Sequence, residues 1–458
     1  MSSFGDGWVR PASSLEEFME TCNRRNFCLI VYSVTLQVKN RLDAETVRQA
    51  LKHLYRKVPT LRRCLQRRGD NLWWRDMDQE NIDFKVLEAA DFRKEYYSLG
   101  THCYDSSPGP MWCARLITSE SGVRCYAPEL EDQFPQQYTL LLGFHHAMTD
   151  GTSNLKIIRY FLQILNSVIK GEYINDQTQL AEHSDGSQTI ALKEEKKREL
   201  NFDLHSKAIK KSKFKDLKRV PFLLKAFPPP TGVTPCTLTM TRDLDQVTSS
   251  KFFAKCKAEG VSVHAGFCAM INAAIVDILN EKGFQQEVYH IYFGHAVNSR
   301  RYWKGDTSKA LGCHMEGLLL QTIPTSRTIL QDIWGYARTL YHDMTTKLNN
   351  GAPLEDSILV EEVTTEDSSI EVEKGISYCT TNIGKIDSII PCDLEHVQMT
   401  RLERTTSIHK FGSTSQIAMQ TFRGCFMFGL DYCPNKLSTE AAKIFADRII
   451  RILQKQLE

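Results

Sequence analysis

The sequence predicts an α/β (α+β) protein of two lobes, each a mixed sheet with flanking helices. Three observations carry that prediction. Runs rich in β-branched residues intermingle with helix-periodic runs, without a strict strand–helix–strand rhythm, so the sheets are mixed. At 458 residues the chain is longer than one core normally holds. Its second half also opens as the first does: Thr35-Leu36 and Leu42-Asp43 have ungapped counterparts in Thr237-Leu238 and Leu244-Asp245. The expected division is an N-terminal lobe over 1–175, a partly flexible crossover over 176–235 and a C-terminal lobe over 236–458.

The elements follow in order. Residues 27–39 read as a strand, and Asp43 caps a helix carrying Val47, Ala50, Leu51 and Leu54 at helical spacing, ended by Val58-Pro59. Short strands are expected at 61–65, 71–75, 84–87 and 111–118, a helix over 91–99 and a loop over 119–136. Tyr138–Phe144 is a strongly apolar strand, and Leu155, Ile158, Leu162 and Leu165 mark a buried helix soon after it. Residues 174–220 turn polar, with a basic cluster at Lys207, Lys210, Lys211, Lys213, Lys215 and Lys218, read as a solvated helix face rather than a phosphate site. In the second half, 236–240 is a strand and Leu244-Asp245 opens a helix. Ser262 caps a helix that is apolar on nearly every face. Strands at 288–296, 318–322 and 376–381, a helix over 329–348 and a loosely patterned acidic stretch over 356–373 come next. A hairpin of 415–420 with 425–432 and an amphipathic helix capped by Ser438 finish the chain.

Composition narrows the function. A net charge of +2 gives no reason to expect nucleic acid or a membrane surface as partner. The fourteen cysteines include no Cys-x-x-Cys pair, and several, such as Cys28, Cys268 and Cys425, sit in apolar runs. That usage fits buried free thiols in a reducing compartment. Neither a signal peptide nor an apolar run long enough to span a bilayer is evident, so a cytoplasmic monomer without a transmembrane segment is expected.

The chemistry concentrates in His145-His146-Ala147-Met148-Thr149-Asp150-Gly151, delivered by the apolar strand before it. Side chains alternate along a strand, so His145 and His146 point to opposite faces and at most one meets a given cleft. A histidine is the usual general base near neutral pH. No Gly-x-Ser-x-Gly elbow supports a serine acyl-enzyme. Adjacent histidines on one strand do not chelate an ion from the same face and His-Glu-x-x-His is absent, so no metal is expected. Two further readings stay open on residue types alone: satisfied core histidines, and a binding module without activity. Asp150, beside a helix start, has two readings: contact with the histidine ring, or an ion pair that holds the loop rigid.

The motif resembles the His-His-x-x-x-Asp-Gly signature of the coenzyme-A-dependent acyltransferase superfamily. That group includes chloramphenicol acetyltransferase, the plant BAHD enzymes, alcohol acetyltransferases, wax ester synthases and the condensation domains of nonribosomal peptide synthetases. Val58-Pro59-Thr60-Leu61-Arg62 is similar to the family's His-Pro-x-Leu-Arg turn, with valine in place of histidine. Val297-Asn298-Ser299-Arg300 resembles the strand end whose arginine pairs with the motif aspartate, and Asn382-Ile383-Gly384 the Asn-x-Gly crossover. The Asp-Phe-Gly-Trp-Gly signature of BAHD enzymes is missing, which argues against a plant-type member.

The resemblance implies two chloramphenicol-acetyltransferase-like lobes with an active-site channel between them. It implies His146 as general base, a structural Asp150 pairing with Arg300, Gly151 allowing close passage of the thioester, and His145, Asn382 and Gly384 as structural support. Ser413, Thr414 and Ser415 are the candidate oxyanion donors. The implied reaction moves an acyl group, in the first instance acetyl, from acyl-CoA as co-substrate to the hydroxyl of a hydrophobic small alcohol. Transfer to an amine, condensation with a carrier-bound donor, and a non-catalytic binding protein on the same fold are the alternatives.

Overall fold

Two sheets with separate cores divide the chain into two compact units. A computed structural model describes residues 7–88, 92–118, 127–201, 220–364, 375–410 and 413–458. The first unit comprises Met1–Ser187, Trp303–His314 and Lys385–Ser407, and the second Gln188–Tyr302, Met315–Gly384 and Ile408–Glu458. The units are therefore not the contiguous stretches 1–175 and 236–458 expected from the sequence. The reason is that strand Val397–Thr406, from far along the chain, pairs antiparallel with Ile30–Val38 and completes the first unit's sheet.

That sheet runs in the order Val397–Thr406, Ile30–Val38, Gln136–Phe144, Trp112–Ile117, Asp83–Leu87. Only the last pair is parallel. Ile30–Val38 has a strand on either side, and all nine of its residues are buried. This is why it reads as a near-continuous apolar run rather than an alternating one. Gln136–Phe144 lies beside it and carries the motif off its end. The helix that follows, Gly151–Lys170, packs against Ala44–Lys57 and stops at Gly171, whose φ of +70° closes the last turn.

The second unit holds a six-stranded sheet ordered Met315–Gln321, Phe293–Asn298, Tyr378–Lys385, Ser415–Phe422, Cys425–Tyr432, Leu238–Asp243. Helix Val263–Glu281 fills its core, with Phe267 edge-on to Phe426 at 4.9 Å. By length and composition this helix could cross a membrane, which the sequence reading did not anticipate, but most of it is buried inside the unit. Part of the expected crossover is regular: Ser187–Glu199 is a helix. The Lys207 to Lys218 cluster lies outside the described residues. The acidic stretch expected to be loosely patterned begins as the helix Ala352–Thr364.

The internal repeat has a structural counterpart in each unit. Asp43 caps helix Ala44–Lys57, its carboxylate accepting from Thr46 N at 2.7 Å and Thr46 Oγ1 at 2.9 Å. Asp245 caps Gln246–Ala258 in the same way, accepting from Thr248 N and Oγ1 at 2.8 Å each. These backbone N–H bonds hold both carboxyls below the ordinary range. Asp43→Ala and Asp245→Ala should each cost about 1 kcal/mol in urea unfolding at neutral pH. A lowered carboxyl pKa adds stability above the unfolded-state value and loses it as pH falls through the folded one. The difference from wild type should therefore shrink on acidification.

Candidate active site

Strand Gln136–Phe144 ends one residue before His145, so the two histidines sit just past the strand, in the turn that leads to helix Gly151–Lys170. Their separation comes from turn geometry and from their partners, rather than from strand alternation itself. His145 is fully buried. Its Nδ1 accepts from the Ala147 N–H at 3.0 Å, so the ring proton is on Nε2, which donates to Glu20 Oε2 at 2.9 Å. Both nitrogens are committed, and burial, only partly opposed by Glu20, pushes this imidazole below its ordinary range. His145 is a neutral strut with no lone pair to spare.

His146 is arranged the other way round. Its Nδ1 lies 2.9 Å from the carbonyl oxygen of Thr149, an acceptor, so Nδ1 carries the proton and Nε2 keeps the lone pair. Cys313 Sγ is 3.7 Å from the same Nδ1. Burial lowers this imidazole too, against the opposing pull of the Thr149 carbonyl and the Asp150 carboxylate. The ring is neutral at physiological pH and oriented by its own turn, which is the state a general base requires.

Asp150 does not share a proton with His146. One carboxylate oxygen caps helix Gly151–Lys170 by accepting from Ser153 N at 2.8 Å. The other accepts from His314 N at 2.9 Å. Ser153 Oγ adds a bond to the Gly312 carbonyl at 2.9 Å. One aspartate therefore fastens the distant 312–314 segment to the helix start. Gly151 is the first residue of that helix.

The remaining site residues belong to the second unit. Arg300 follows strand Phe293–Asn298, and both its backbone N–H and its Nη1 donate to Asn298 Oδ1, at 3.1 and 3.2 Å. Asn382 Oδ1 accepts from Gly384 N at 2.8 Å, and Gly384 has a φ of +77°, where a side chain would be strained. Ser413, Thr414 and Ser415 are buried at the start of strand Ser415–Phe422. The Thr414 and Ser415 hydroxyls have no hydrogen-bond partner among the described residues.

Three contributors escaped the sequence reading. Cys313 and His314 carry no motif of their own. Glu20 sits on helix Ser14–Arg24, whose start is marked in the sequence by a capping box of Ser13 with Glu16. The Glu20 carboxylate also receives Ser106 Oγ at 2.7 Å and Arg24 Nε at 2.8 Å. Burial works to raise its pKa, but the bonds from His145, Ser106 and Arg24 outweigh it and hold the carboxyl at about 2.

A condensation-domain family profile matches residues 28–312, more than half of the chain. The chain belongs to the condensation-domain family. Among solved structures, this family member is similar to the TRI3 trichothecene 15-O-acetyltransferase from Fusarium sporotrichioides. The two share 12% identity over 99% of this chain and 96% of that one, with a TM-score of 0.72. It is similar also to the first condensation domain of the calcium-dependent antibiotic synthetase, at 11% identity, 99% and 97% coverage and a TM-score of 0.70. Polyketide synthase associated protein 5 from Mycobacterium tuberculosis gives 12% identity, 98% and 99% coverage and a TM-score of 0.65. At these identities the likeness establishes the two-lobed condensation and acyltransferase fold. No curated protein matches the chain by sequence.

Removing the Glu20 carboxylate strands a buried N–H on His145 and a buried hydroxyl on Ser106. Glu20→Ala should cost about 3 kcal/mol in urea unfolding at neutral pH, and His145→Ala should likewise act through stability. Because the Glu20 carboxyl falls from 4.5 to about 2 on folding, its contribution is complete above 4.5 and drains away as pH falls toward 2. Urea midpoints of wild type and Glu20→Ala should converge over that window.

Proposed function

We propose that this condensation-family member is an acyltransferase that moves an acyl group, in the first instance acetyl, from acyl-CoA to the hydroxyl of a hydrophobic small-molecule alcohol. The observation that carries the proposal is the state of His146: neutral, its Nδ1–H held on the Thr149 carbonyl and its Nε2 lone pair without a partner among the described residues. In the proposed reaction Nε2 takes the proton of the acceptor hydroxyl as its oxygen attacks the thioester carbonyl. The tetrahedral oxyanion collapses, the carbon–sulfur bond breaks, and the proton returns from Nε2 to the departing thiolate. Donor and acceptor are bound together, so no acyl-enzyme forms.

The other residues take supporting roles in this reading. Asp150 holds the motif loop through its two backbone bonds, and Gly151 lets the chain pass close to the thioester. The Thr414 and Ser415 hydroxyls, with Ser413, are the candidate donors to the oxyanion. That the first two are buried without a partner among the described residues supports the assignment. Membership of the condensation-domain family favours a second reading, in which the acyl donor is carried by a protein-bound thiol and the acceptor is an amine.

Release of free thiol from a set of acyl-CoAs, with alcohols and amines as acceptors, tests the proposal. His146→Ala should lower kcat by about 10²–10⁴-fold with little change in unfolding midpoint. Near-normal turnover in that variant would sink the mechanism. The acid limb of the wild-type kcat/KM profile should fall below the ordinary imidazole value of 6.5, since a base with a lowered pKa stays unprotonated to lower pH. Turnover with a carrier-bound donor alone would select the second reading, and no thiol release from any donor would favour a binding protein.

A further inference from the structure

Away from the histidine motif, the second unit gathers a cluster that the reaction does not use. His264 and Cys268 stand four residues apart on helix Val263–Glu281, and so share one face. His295 comes from strand Phe293–Asn298. The three possible ligand atoms lie within 4.8 Å of one another, and His264 Nε2 is 3.0 Å from His295 Nδ1. Thr380, directly across the parallel strand pair from His295, brings its Oγ1 to 2.6 Å from His295 Nδ1 and 3.5 Å from His264 Nε2.

Hydrogen bonding accounts for part of this convergence, with the Thr380 hydroxyl donating to the Gly294 carbonyl at 3.3 Å, but it leaves His295 Nδ1 crowded. If His295 Nδ1 carries a proton, one N–H is split between an imidazole nitrogen and a hydroxyl. If it does not, its one in-plane lone pair must take two donors. A cation at the centre would serve every atom. Tetrahedral zinc, with bonds of about 2.0–2.1 Å to nitrogen and about 2.3 Å to sulfur, sets its ligands roughly 3.3–3.6 Å apart. The two histidine nitrogens, 3.0 Å apart, need a shift of a few tenths of an ångström to reach that spacing, and Cys268 Sγ lies within 4.8 Å of both. Cys268 is fully buried, His295 nearly so, and His264 is half-buried at the first turn of the helix. Phe293 sits edge-on to the His295 ring at 5.3 Å and forms an apolar wall behind it.

We propose that His264 Nε2, His295 Nδ1 and Cys268 Sγ bind a divalent zinc ion, with the Thr380 hydroxyl or a water in the fourth position. The choice of metal follows from the ligands: one thiolate and two imidazoles suit zinc, whereas magnesium and calcium take oxygen. Both imidazoles bind neutral, each keeping its N–H on the other ring nitrogen. The Cys268 thiol gives up its proton as the sulfur–metal bond forms. One proton is released per ion and the site carries a net charge of +1. The role is structural, tying the start of the core helix to the two adjacent strands that bear His295 and Thr380. It departs from the metal-free reading of the sequence, since the ligands are scattered over separate elements with no motif between them.

Cobalt(II) titration of the full chain, without a histidine tag and after treatment with a chelator, tests the proposal. The expected result is one cobalt per chain, tetrahedral d–d absorption, a near-ultraviolet thiolate-to-cobalt charge-transfer band and one proton released. Cys268→Ser should abolish the charge-transfer band. His264→Ala, at the half-buried ligand and the variant least exposed to misfolding, should abolish stoichiometric binding. Chelation should lower the wild-type Tm and leave that of His264→Ala unchanged. No stoichiometric binding by the wild type, a charge-transfer band that persists in Cys268→Ser, or metal content unchanged in His264→Ala would each overturn the site.

Discussion

Three of the four ring nitrogens of the two buried histidines are held by protein partners, and the arrangement around the motif follows from those bonds. His145 is satisfied by the Ala147 N–H on one side and Glu20 on the other. This draws helix Ser14–Arg24 against the turn and fixes where the strand must end. With that ring immobile, the next residue turns the other way and gives its Nδ1–H to the Thr149 carbonyl. The tautomer of His146 is thus set by four residues of local backbone, and its reactive nitrogen is a by-product of satisfying the other one. Asp150 then meets the needs of a helix end and of the 312–314 segment together. A carboxylate occupied by two backbone donors is a poor proton relay and a good rivet.

Much of this could be read from the sequence wherever a local rule sufficed. Asp43, Asp245, Ser262 and Ser438 each announce a helix, and each accepts the expected backbone bond. The apolar strand before the histidines and the buried helix after them were equally plain. Strand Val397–Thr406 was not, because its sequence suggests a solvated surface. Arg401, Glu403 and Arg404 are charged, yet all three are buried, with Arg401 Nε paired to Glu403 Oε1 at 2.8 Å. Opposite charges two residues apart on one strand can neutralise each other on the same face, and periodicity rules that count apolar residues pass over such a pair. The candidate site divides along the same line. His145, His146 and Asp150 were visible as a motif, whereas Glu20 lies 125 residues from His145. Nothing local to either residue marks that contact.

The two units share a strand, a turn and an aspartate-capped helix in that order, and otherwise diverge. In the first unit that strand, Ile30–Val38, is buried along its whole length, with a neighbour on each side. In the second, its counterpart Leu238–Asp243 is the last strand of the sheet, and its residues are half-buried throughout. A repeated sequence thus specifies the same local supersecondary unit in two tertiary settings. The cap and the turn belong to the repeat, and the burial belongs to the sheet around it.

The late-arriving strand beside Ile30–Val38 bears on how the protein is made. Residues 30–38 pair with 397–406, so the first unit, although it begins first, completes its sheet only late in synthesis. Until nearly nine-tenths of the chain has left the ribosome, the most apolar strand of that unit has an open edge with unpaired N–H and C=O groups. Long loop closure of this kind is slow, and an uncovered strand edge invites intermolecular pairing. Nascent chains that stall before residue 397 should therefore be the ones that chaperones hold and the ones that aggregate when released.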